Sequence, residues 1–138
     1  SPNEAMPLGE GRVYNEDAKD LVIFTFGNGV PMALRAAREV EKKLKWQVRV
    51  VDLRWLVPLN EKFIAEHAKT ARRIIVLDEG RRSAGVGEGI VTAIVEAGLG
   101  DTPLKRVAGA DTYTPLAGAA LLVLPGENDI VAAAEAMG

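Results

Sequence analysis

The sequence predicts an α/β fold built on a doubly wound sheet of βαβ units. Short runs of continuously apolar residues alternate with longer segments whose apolar residues recur at helical spacing. A continuous apolar run is typical of a parallel strand covered on both faces, and strands that alternate with helices form right-handed βαβ units. With 138 residues, 48% of them hydrophobic, the chain is predicted to be one domain with one sizeable core.

Five strands are predicted in chain order. The run LVIFTF is rich in β-branched and aromatic residues, and QVRVVDL, RIIVLD and LKRVAG repeat this character further along the chain. The short string GRVY near the start adds an edge strand. The predicted bounds are 11–14, 21–26, 47–53, 73–78 and 104–109.

Four helices are predicted between and after these strands. The apolar stripe of the first, at 30–45, consists of Val30, Ala33, Ala37, Val40 and Leu44. The second begins at about Asn60, which caps it while Leu59 and Ile64 form a hydrophobic staple. The third runs from 86 until a pair of glycines ends it near 98, and ENDIVAAAEAM forms the last helix.

Composition argues against several classes of function. The net charge is −2, and no Lys/Arg cluster is longer than a pair, so neither a nucleic acid nor a membrane is expected as a partner. The absence of cysteine excludes disulfides, thiolate metal sites and a thiol nucleophile. No signal-like hydrophobic run is found, and the apolar run at 117–124 is too short for a bilayer, so a cytoplasmic location is expected.

Two glycine-rich loops follow the first and third of the longer strands. In doubly wound sheets, ligands or partners meet the carboxyl ends of the strands at the point where strand order reverses. These loops are therefore the candidate ligand or interface site. The candidate residues are Gly27, Asn28 and Gly29 in the first loop and Asp78, Glu79, Arg81, Arg82, Gly85 and Gly87 in the second.

Both loops partly match the dinucleotide-binding fingerprint, which needs three small residues at fixed spacing. The third position is Met32 in one loop and Ile90 in the other, so each match fails there. Asp52 lies where a ribose-binding acid would. The favoured interpretation is that Gly27 and Gly29 allow a tight strand-to-helix turn through positive φ. A nucleotide-binding module that uses these two glycines and Asp52 is the alternative.

Other side chains give weaker signals. His67, the only histidine, is predicted to be a partly exposed helix residue and not a catalytic base. Asp78 and Glu79 could form an acid/base pair or a metal site. Because Arg81 and Arg82 follow closely and no further ligand residues are spaced nearby, an ion-paired turn or an interface is favoured. The two tryptophans are interpreted as packing residues.

Four longer strings carry a more specific signal. They are LVIFTFGNGV, VRVVDLRWLVPLNEKFI, RRIIVLDEGRRSAGVGEGI and RVAGADTYTPLAGAA, in that order. Together they resemble the carboxyl-terminal domain of the transketolase superfamily, and most of all that of the thiamine-diphosphate-dependent decarboxylating component of 2-oxo acid dehydrogenase complexes. The likeness predicts that this domain spans 6–138 and that 1–5 is a linker or a remnant of expression.

The resemblance implies a fold and a cofactor. The implied fold is a three-layer α/β/α domain with a five-stranded mixed, mostly parallel sheet, whose first strand is antiparallel to the rest. The chain would be a fragment, because thiamine diphosphate and magnesium bind to two other domains of such enzymes. Neither cofactor is expected to bind this fragment, and no catalytic, cofactor-binding or metal-binding residue is predicted within it.

The resemblance also implies a role in assembly. As part of a 2-oxo acid dehydrogenase, which is an oxidoreductase, the domain would help to hold a homodimer or heterotetramer together through the two loops. A lipoyl acyltransferase core is a further implied partner. The turn GRRSAG and the alanine-rich last helix favour a fused alpha-beta chain over a separate beta subunit. The carboxyl-terminal domain of a transketolase or of a deoxyxylulose-phosphate synthase is the alternative within the superfamily.

Overall fold

The computed structural model describes residues 5–138 and shows an α/β domain with one mixed sheet. The strands are β1 (Arg12–Tyr14), β2 (Leu21–Thr25), β3 (Val48–Asp52), β4 (Ile74–Arg81) and β5 (Leu104–Gly109). The helices are α1 (Gly29–Leu44), α2 (Glu61–Ala68), α3 (Val86–Glu96) and α4 (Glu127–Glu135), with a 3₁₀-helix at Ala117–Leu122. The predicted 1–5 linker lies, except for its last residue, outside the described residues.

The sheet has the strand order β1-β3-β2-β4-β5. β1 pairs with β3 in antiparallel fashion, and the other pairings are parallel. This arrangement confirms the predicted five-stranded mixed sheet. From β2 the chain continues to β3, which lies next to β2 on one side within the sheet. It then crosses over to β4, which lies next to β2 on the opposite side. The strand order therefore reverses between β2 and β4, and their carboxyl ends form the switch point.

Two helical layers cover the sheet and enclose separate apolar cores. The core under α1 and α4 includes Leu21, Ile23, Ala33, Val40, Val48, Val50, Ile75, Leu77, Ile130 and Ala134. The core under α2 and α3 includes Val22, Phe24, Val51, Ile64, Ile74, Val76, Ile90 and Ile94. Alternate residues of each strand enter opposite cores, which is why β2 and β3 are buried along their whole length and read as continuous apolar runs.

The helix boundaries follow local chemistry. The side chain of Asn60 accepts a hydrogen bond from the backbone N–H of Phe63 at 3.0 Å and so caps α2 as predicted. α1 begins one residue earlier than predicted, at Gly29, and ends before Lys45, which has a left-handed φ of 59°. At α4, the backbone N–H of Gly126 donates to Asp129 Oδ2 at 2.7 Å.

The apolar stretch near the C-terminus is broken in the structure. By length and composition alone, Ala117–Glu135 resembles a membrane span. The residues instead form the 3₁₀-helix and α4, separated at Pro125 and Gly126. Because α4 buries Ile130 and Ala134 against the sheet, it serves as a core helix of the domain.

Candidate functional site

The two glycine-rich loops meet at the switch point. The backbone N–H of Gly29, at the start of α1, donates to Glu79 Oε1 at 3.1 Å, across 50 residues of sequence. Gly27 has a φ of +56°, so its positive φ is confirmed. Gly29 does not have a positive φ, and the prediction was wrong there. A Cβ on Gly29 would collide with Thr25 Oγ1, so close approach of helix and strand requires this glycine.

Asp78 holds the N-terminus of α3. It is 3% exposed, its Oδ2 accepts from the backbone N–H of Gly87 at 2.7 Å, and its Oδ1 accepts from Gly80 at 2.8 Å. A Cβ on Gly85 would lie 2.6 Å from Asp78 Oδ2, and one on Gly87 would lie 3.2 Å from the same atom. These two glycines therefore make room for the carboxylate, while Ala84 has the left-handed φ of 57° in this turn.

Asp78 and Glu79 occupy the positions that a bound phosphate would need. In a dinucleotide site, free amides at a helix N-terminus face the pyrophosphate. Here amides at the starts of α1 and α3 donate to the carboxylates of Glu79 and Asp78. A phosphate would meet negative charge in place of free donors, so the geometry argues against the nucleotide alternative.

Arg81 and Arg82 are exposed after a bulge at the end of β4. The register of β4 against β5 shifts between Asp78 and Arg81, and Arg81 pairs with Gly109. Within residues 5–138 neither guanidinium lies within salt-bridge distance of a carboxylate. The ion-paired turn is therefore wrong as an interpretation of this loop, because Asp78 and Glu79 are turned to the helix amides. Both arginines are left facing outward.

Ser83 and Asp111 form a link that sequence reasoning missed. Ser83 donates from its backbone N–H at 2.8 Å and from its hydroxyl at 2.7 Å to the two carboxylate oxygens of Asp111. These hydrogen bonds from Ser83 hold the pKa of the exposed Asp111 below its ordinary value. The bonds join the β4–α3 loop to the segment after β5. The only sequence signal was the position of each residue just beyond a strand.

The segment after β5, residues 110–124, presents exposed apolar side chains. Its ends are closed by a backbone hydrogen bond from Ala110 N–H to the carbonyl of Val123 at 2.8 Å. The exposed fractions are 94% for Tyr113, 90% for Leu116, 81% for Leu121 and 86% for Leu122. A shallow groove of about 320 Å³ separates this segment from Glu79 to Arg81. Sequence reasoning missed this surface, although the leucines that follow TYTP in the sequence were its signal.

The other predicted residues have structural roles or lie elsewhere. Asp52 accepts from the backbone N–H of Arg54 at 3.2 Å and pairs with its Nε at 3.3 Å. Trp46 packs against the α1/α4 core, and the guanidinium of Arg73 lies 3.9 Å from its ring centroid. His67 is 9% exposed, so its predicted partial exposure is wrong; it is buried where α2 ends beside Arg49.

The part of the chain that the structure describes does not fit a magnesium–diphosphate site. Among residues 5–138 no group of three or more His, Asp or Glu side chains is arranged to hold a metal ion. The carboxylates nearest the switch point already accept backbone hydrogen bonds.

Comparison with known proteins agrees with this architecture. The family model described as "Transketolase, C-terminal domain" matches residues 9–129. The chain belongs to this family. It is 33% identical over 133 residues to the pyruvate dehydrogenase E1 component subunit beta of Staphylococcus aureus, covering 94% of this chain and 41% of the relative. It is 35% identical over 127 residues to the 3-methyl-2-oxobutanoate dehydrogenase subunit beta of Mycobacterium tuberculosis, covering 91% and 36%.

A solved structure shows the same fold for this transketolase C-terminal domain. The structure titled "Split gene transketolase, inactive beta4 tetramer" matches with a TM-score of 0.81 and 28% identity, covering 99% of this chain and 43% of that one. The domain thus spans about two fifths of the length of the proteins that it matches. It is an enzyme-associated domain of the transketolase C-terminal family.

Proposed function

We propose that this domain is the noncatalytic assembly domain of a thiamine-diphosphate-dependent 2-oxo acid dehydrogenase. The observation that carries the proposal is the carboxyl edge of the sheet, where Arg81 and Arg82 lie beside the exposed apolar 110–124 segment. Exposed apolar side chains grouped beside unpaired arginines are typical of protein interfaces. Glu79 and Arg81 line one wall of the groove that separates the end of β4 from the 110–124 segment.

The edge has the structure expected of a preformed interface. The β4–α3 loop is held from within by Asp78 and is joined to the 110–124 segment by Ser83 and Asp111. The backbone of the loop is therefore fixed before a partner arrives, which lowers the entropy cost of association. The partners would be the remaining domains or subunits of the same enzyme, in a homodimer or heterotetramer, and a lipoyl acyltransferase core.

The chemistry of the complete enzyme would belong to its other domains. Thiamine diphosphate, held there with magnesium, supplies the electron sink for decarboxylation of the 2-oxo acid. This chain would shape the approach to that site and keep the subunits in register. We also propose a cytoplasmic location for the enzyme.

A transketolase is the second candidate, because the matched split-gene transketolase shares the fold over nearly the whole chain. A deoxyxylulose-phosphate synthase is a further alternative within the superfamily. The curated relatives named above, which are beta subunits of 2-oxo acid dehydrogenases, favour the dehydrogenase. Activity of the complete enzyme separates these candidates: oxidative decarboxylation of a 2-oxo acid supports the proposal, and ketol transfer between sugar phosphates without it contradicts the proposal.

Assembly can be tested on the complete enzyme with paired variants. We expect Arg81→Ala/Arg82→Ala, and separately Leu121→Glu/Leu122→Glu, to shift the sedimentation profile toward dissociated subunits and to lower turnover. The control is Arg38→Ala/Lys42→Ala, which removes two exposed charges from α1. Normal assembly and turnover of both edge variants would contradict the interface role, provided that circular dichroism shows each variant to be folded.

A further inference from the structure

A second cleft lies near the C-terminal end of α2. Its volume is about 450 Å³, and it is lined by Glu16, Arg49, Phe63, Glu66, His67 and Thr70. Ligand sites in proteins commonly have volumes of this size. The assembly role proposed above makes no use of these residues.

Arg49 places a buried positive charge in this cleft. It lies on β3 and is 4% exposed. Its Nη1 donates to Thr70 Oγ1 at 3.0 Å and lies 3.3 Å from His67 Nδ1, whereas its Nε is buried without a hydrogen-bond partner in the described part of the chain. Within residues 5–138 no carboxylate lies within salt-bridge distance of this guanidinium. A buried guanidinium of this kind is costly unless an anion approaches it.

His67 adds a second donor. Because a guanidinium only donates hydrogen bonds, His67 Nδ1 must accept from Arg49, and the imidazole proton is therefore on Nε2. The ring packs edge-on against Phe63, with centroids 4.6 Å apart. Burial lowers the pKa of His67, and Arg49 lowers it further, so the ring is held neutral. Arg49 Nε itself is sealed from solvent, so the donors available to an anionic group are His67 Nε2–H and the terminal N–H groups of the Arg49 guanidinium.

Glu16 and Glu66 line the same cleft with opposite charge. Both carboxylates partly oppose the lowering of the pKa of His67. Burial lowers the pKa of Arg49, and Glu16 and Asp17 oppose that shift. A simple anion would be repelled by the two carboxylates. A molecule that carries a carboxylate at one end and an ammonium at the other complements both parts, and Phe63 offers an apolar wall to its remaining atoms.

We propose that this cleft binds a small zwitterion of the α-amino acid type. Its carboxylate accepts hydrogen bonds from Arg49 and His67, and its ammonium group lies against Glu16 and Glu66. The proposal rests only on these residues and stands independently of the assembly role.

Titration of this chain by heteronuclear NMR tests the proposal. The probes are glycine, L-leucine and L-phenylalanine, with 4-methylpentanoate and 3-methylbutylamine as analogues of leucine that each retain one charge. We expect saturable shifts at the amides of Thr70 and Arg49 for at least one amino acid, with a Kd of about 1 mM or lower. Both analogues should bind at least tenfold more weakly than leucine. Failure of all three amino acids to saturate, or equal affinity for 4-methylpentanoate and leucine, overturns the proposal.

Variants separate the two ends of the ligand. Arg49→Met should weaken amino acid binding at least tenfold, whereas Arg38→Met, which removes an exposed arginine of α1, should leave it unchanged. If Arg49→Met does not fold, Glu66→Gln still tests the proposal, because the Glu66 side chain is exposed and its substitution should not disturb folding. It should weaken amino acid binding several-fold without weakening that of 4-methylpentanoate. Unchanged amino acid affinity in Glu66→Gln and Glu16→Gln would overturn the placement of the ammonium group.

Discussion

At the scale of single residues, Asp78 and Glu79 each receive backbone hydrogen bonds at the start of a helix. The positive end of the helix dipole and the free N–H groups of the first turn both favour a carboxylate there. Asp78 serves α3 from the preceding strand, and Glu79 serves α1 from across the switch point. Both side chains therefore stabilise the loops from within.

Gly29→Val is predicted to destabilise the domain by about 1–3 kcal/mol. Even the first added carbon would collide with Thr25 Oγ1, and Thr25 is fully buried. Urea unfolding monitored by circular dichroism measures the free energy of unfolding. Gly118→Val is the matched control, since an added carbon at Gly118 has nothing within 4 Å. Equal stability of the two variants would contradict the close-approach explanation.

His67 is predicted to make stability depend on pH below neutrality. Its pKa in the folded state is lowered from 6.5, first by burial and then by Arg49, with Glu16 and Glu66 opposing. As pH falls through about 6.5, the unfolded chain takes up the proton before the folded chain does, so stability is lost until the folded pKa is reached. Above this window both states are neutral, and His67 adds no pH dependence.

The comparison of wild type with His67→Gln measures this effect. Urea unfolding at about pH 7.5 and about pH 5.5 brackets the window below the ordinary histidine pKa. The loss of unfolding free energy between the two pH values should be smaller in His67→Gln than in the wild type. Because the chain has one histidine, the same loss in both proteins would show that His67 is not the group responsible.

At the scale of elements, the four helices differ in how their first turns are held. α2 and α4 are capped by nearby side chains, Asn60 and Asp129. In α3 the backbone N–H of Gly87 donates to Asp78, nine residues earlier in the chain. In α1 the backbone N–H of Gly29 donates to Glu79, 50 residues later. The first two helices therefore carry their own start signals, whereas α1 and α3 depend on strand β4 being in place.

Asp78→Ala is predicted to destabilise the start of α3 and the whole domain by about 1–3 kcal/mol. The substitution leaves the buried N–H of Gly87 and the N–H of Gly80 without their acceptor. Urea unfolding should show the loss, and hydrogen exchange should show reduced protection in the first turn of α3. Asp101→Ala, at an exposed position, is the control; a similar small effect in both variants would show that the cap contributes little.

At the scale of the whole molecule, two faces of the domain have different characters. The carboxyl edge combines the exposed leucines of the 110–124 segment with Arg81 and Arg82, as the proposed interface would require. The cleft beside α2 combines buried donors with two carboxylates, as the proposed zwitterion would require. The same sheet supports both, because its two cores fix the positions of the loops at each end.

The isolated chain is predicted to bind neither thiamine diphosphate nor a nicotinamide dinucleotide. The helix amides that would receive a diphosphate already donate to Asp78 and Glu79, and Met32 and Ile90 occupy the third fingerprint position in the two loops. Calorimetric titration with each cofactor, with magnesium present, is the measurement. Saturable binding at low micromolar concentration of either cofactor would contradict this assignment.

The secondary structure was predictable because its signals are local. β5 has the predicted bounds, and Asn60 caps α2 as expected. β4 is longer than predicted, because the bulge after Asp78 allows Arg81 to pair with Gly109 of β5. The 3₁₀-helix was missed because alanine and leucine runs do not distinguish it from a loop or an α-helix.

The amino-acid sequence by itself determined the fold class, the order of the elements and the family, because apolar periodicity, caps and the four strings are properties of neighbouring residues. Only the tertiary structure decided the roles of the charged residues. In the structure, Asp78 and Glu79 accept hydrogen bonds from helix amides. Arg81 and Arg82 face outward, and His67 is buried beside Arg49. The physical reason is that a charge acts on what lies near it in space, and those neighbours are brought together from distant parts of the chain by the packing of the two cores.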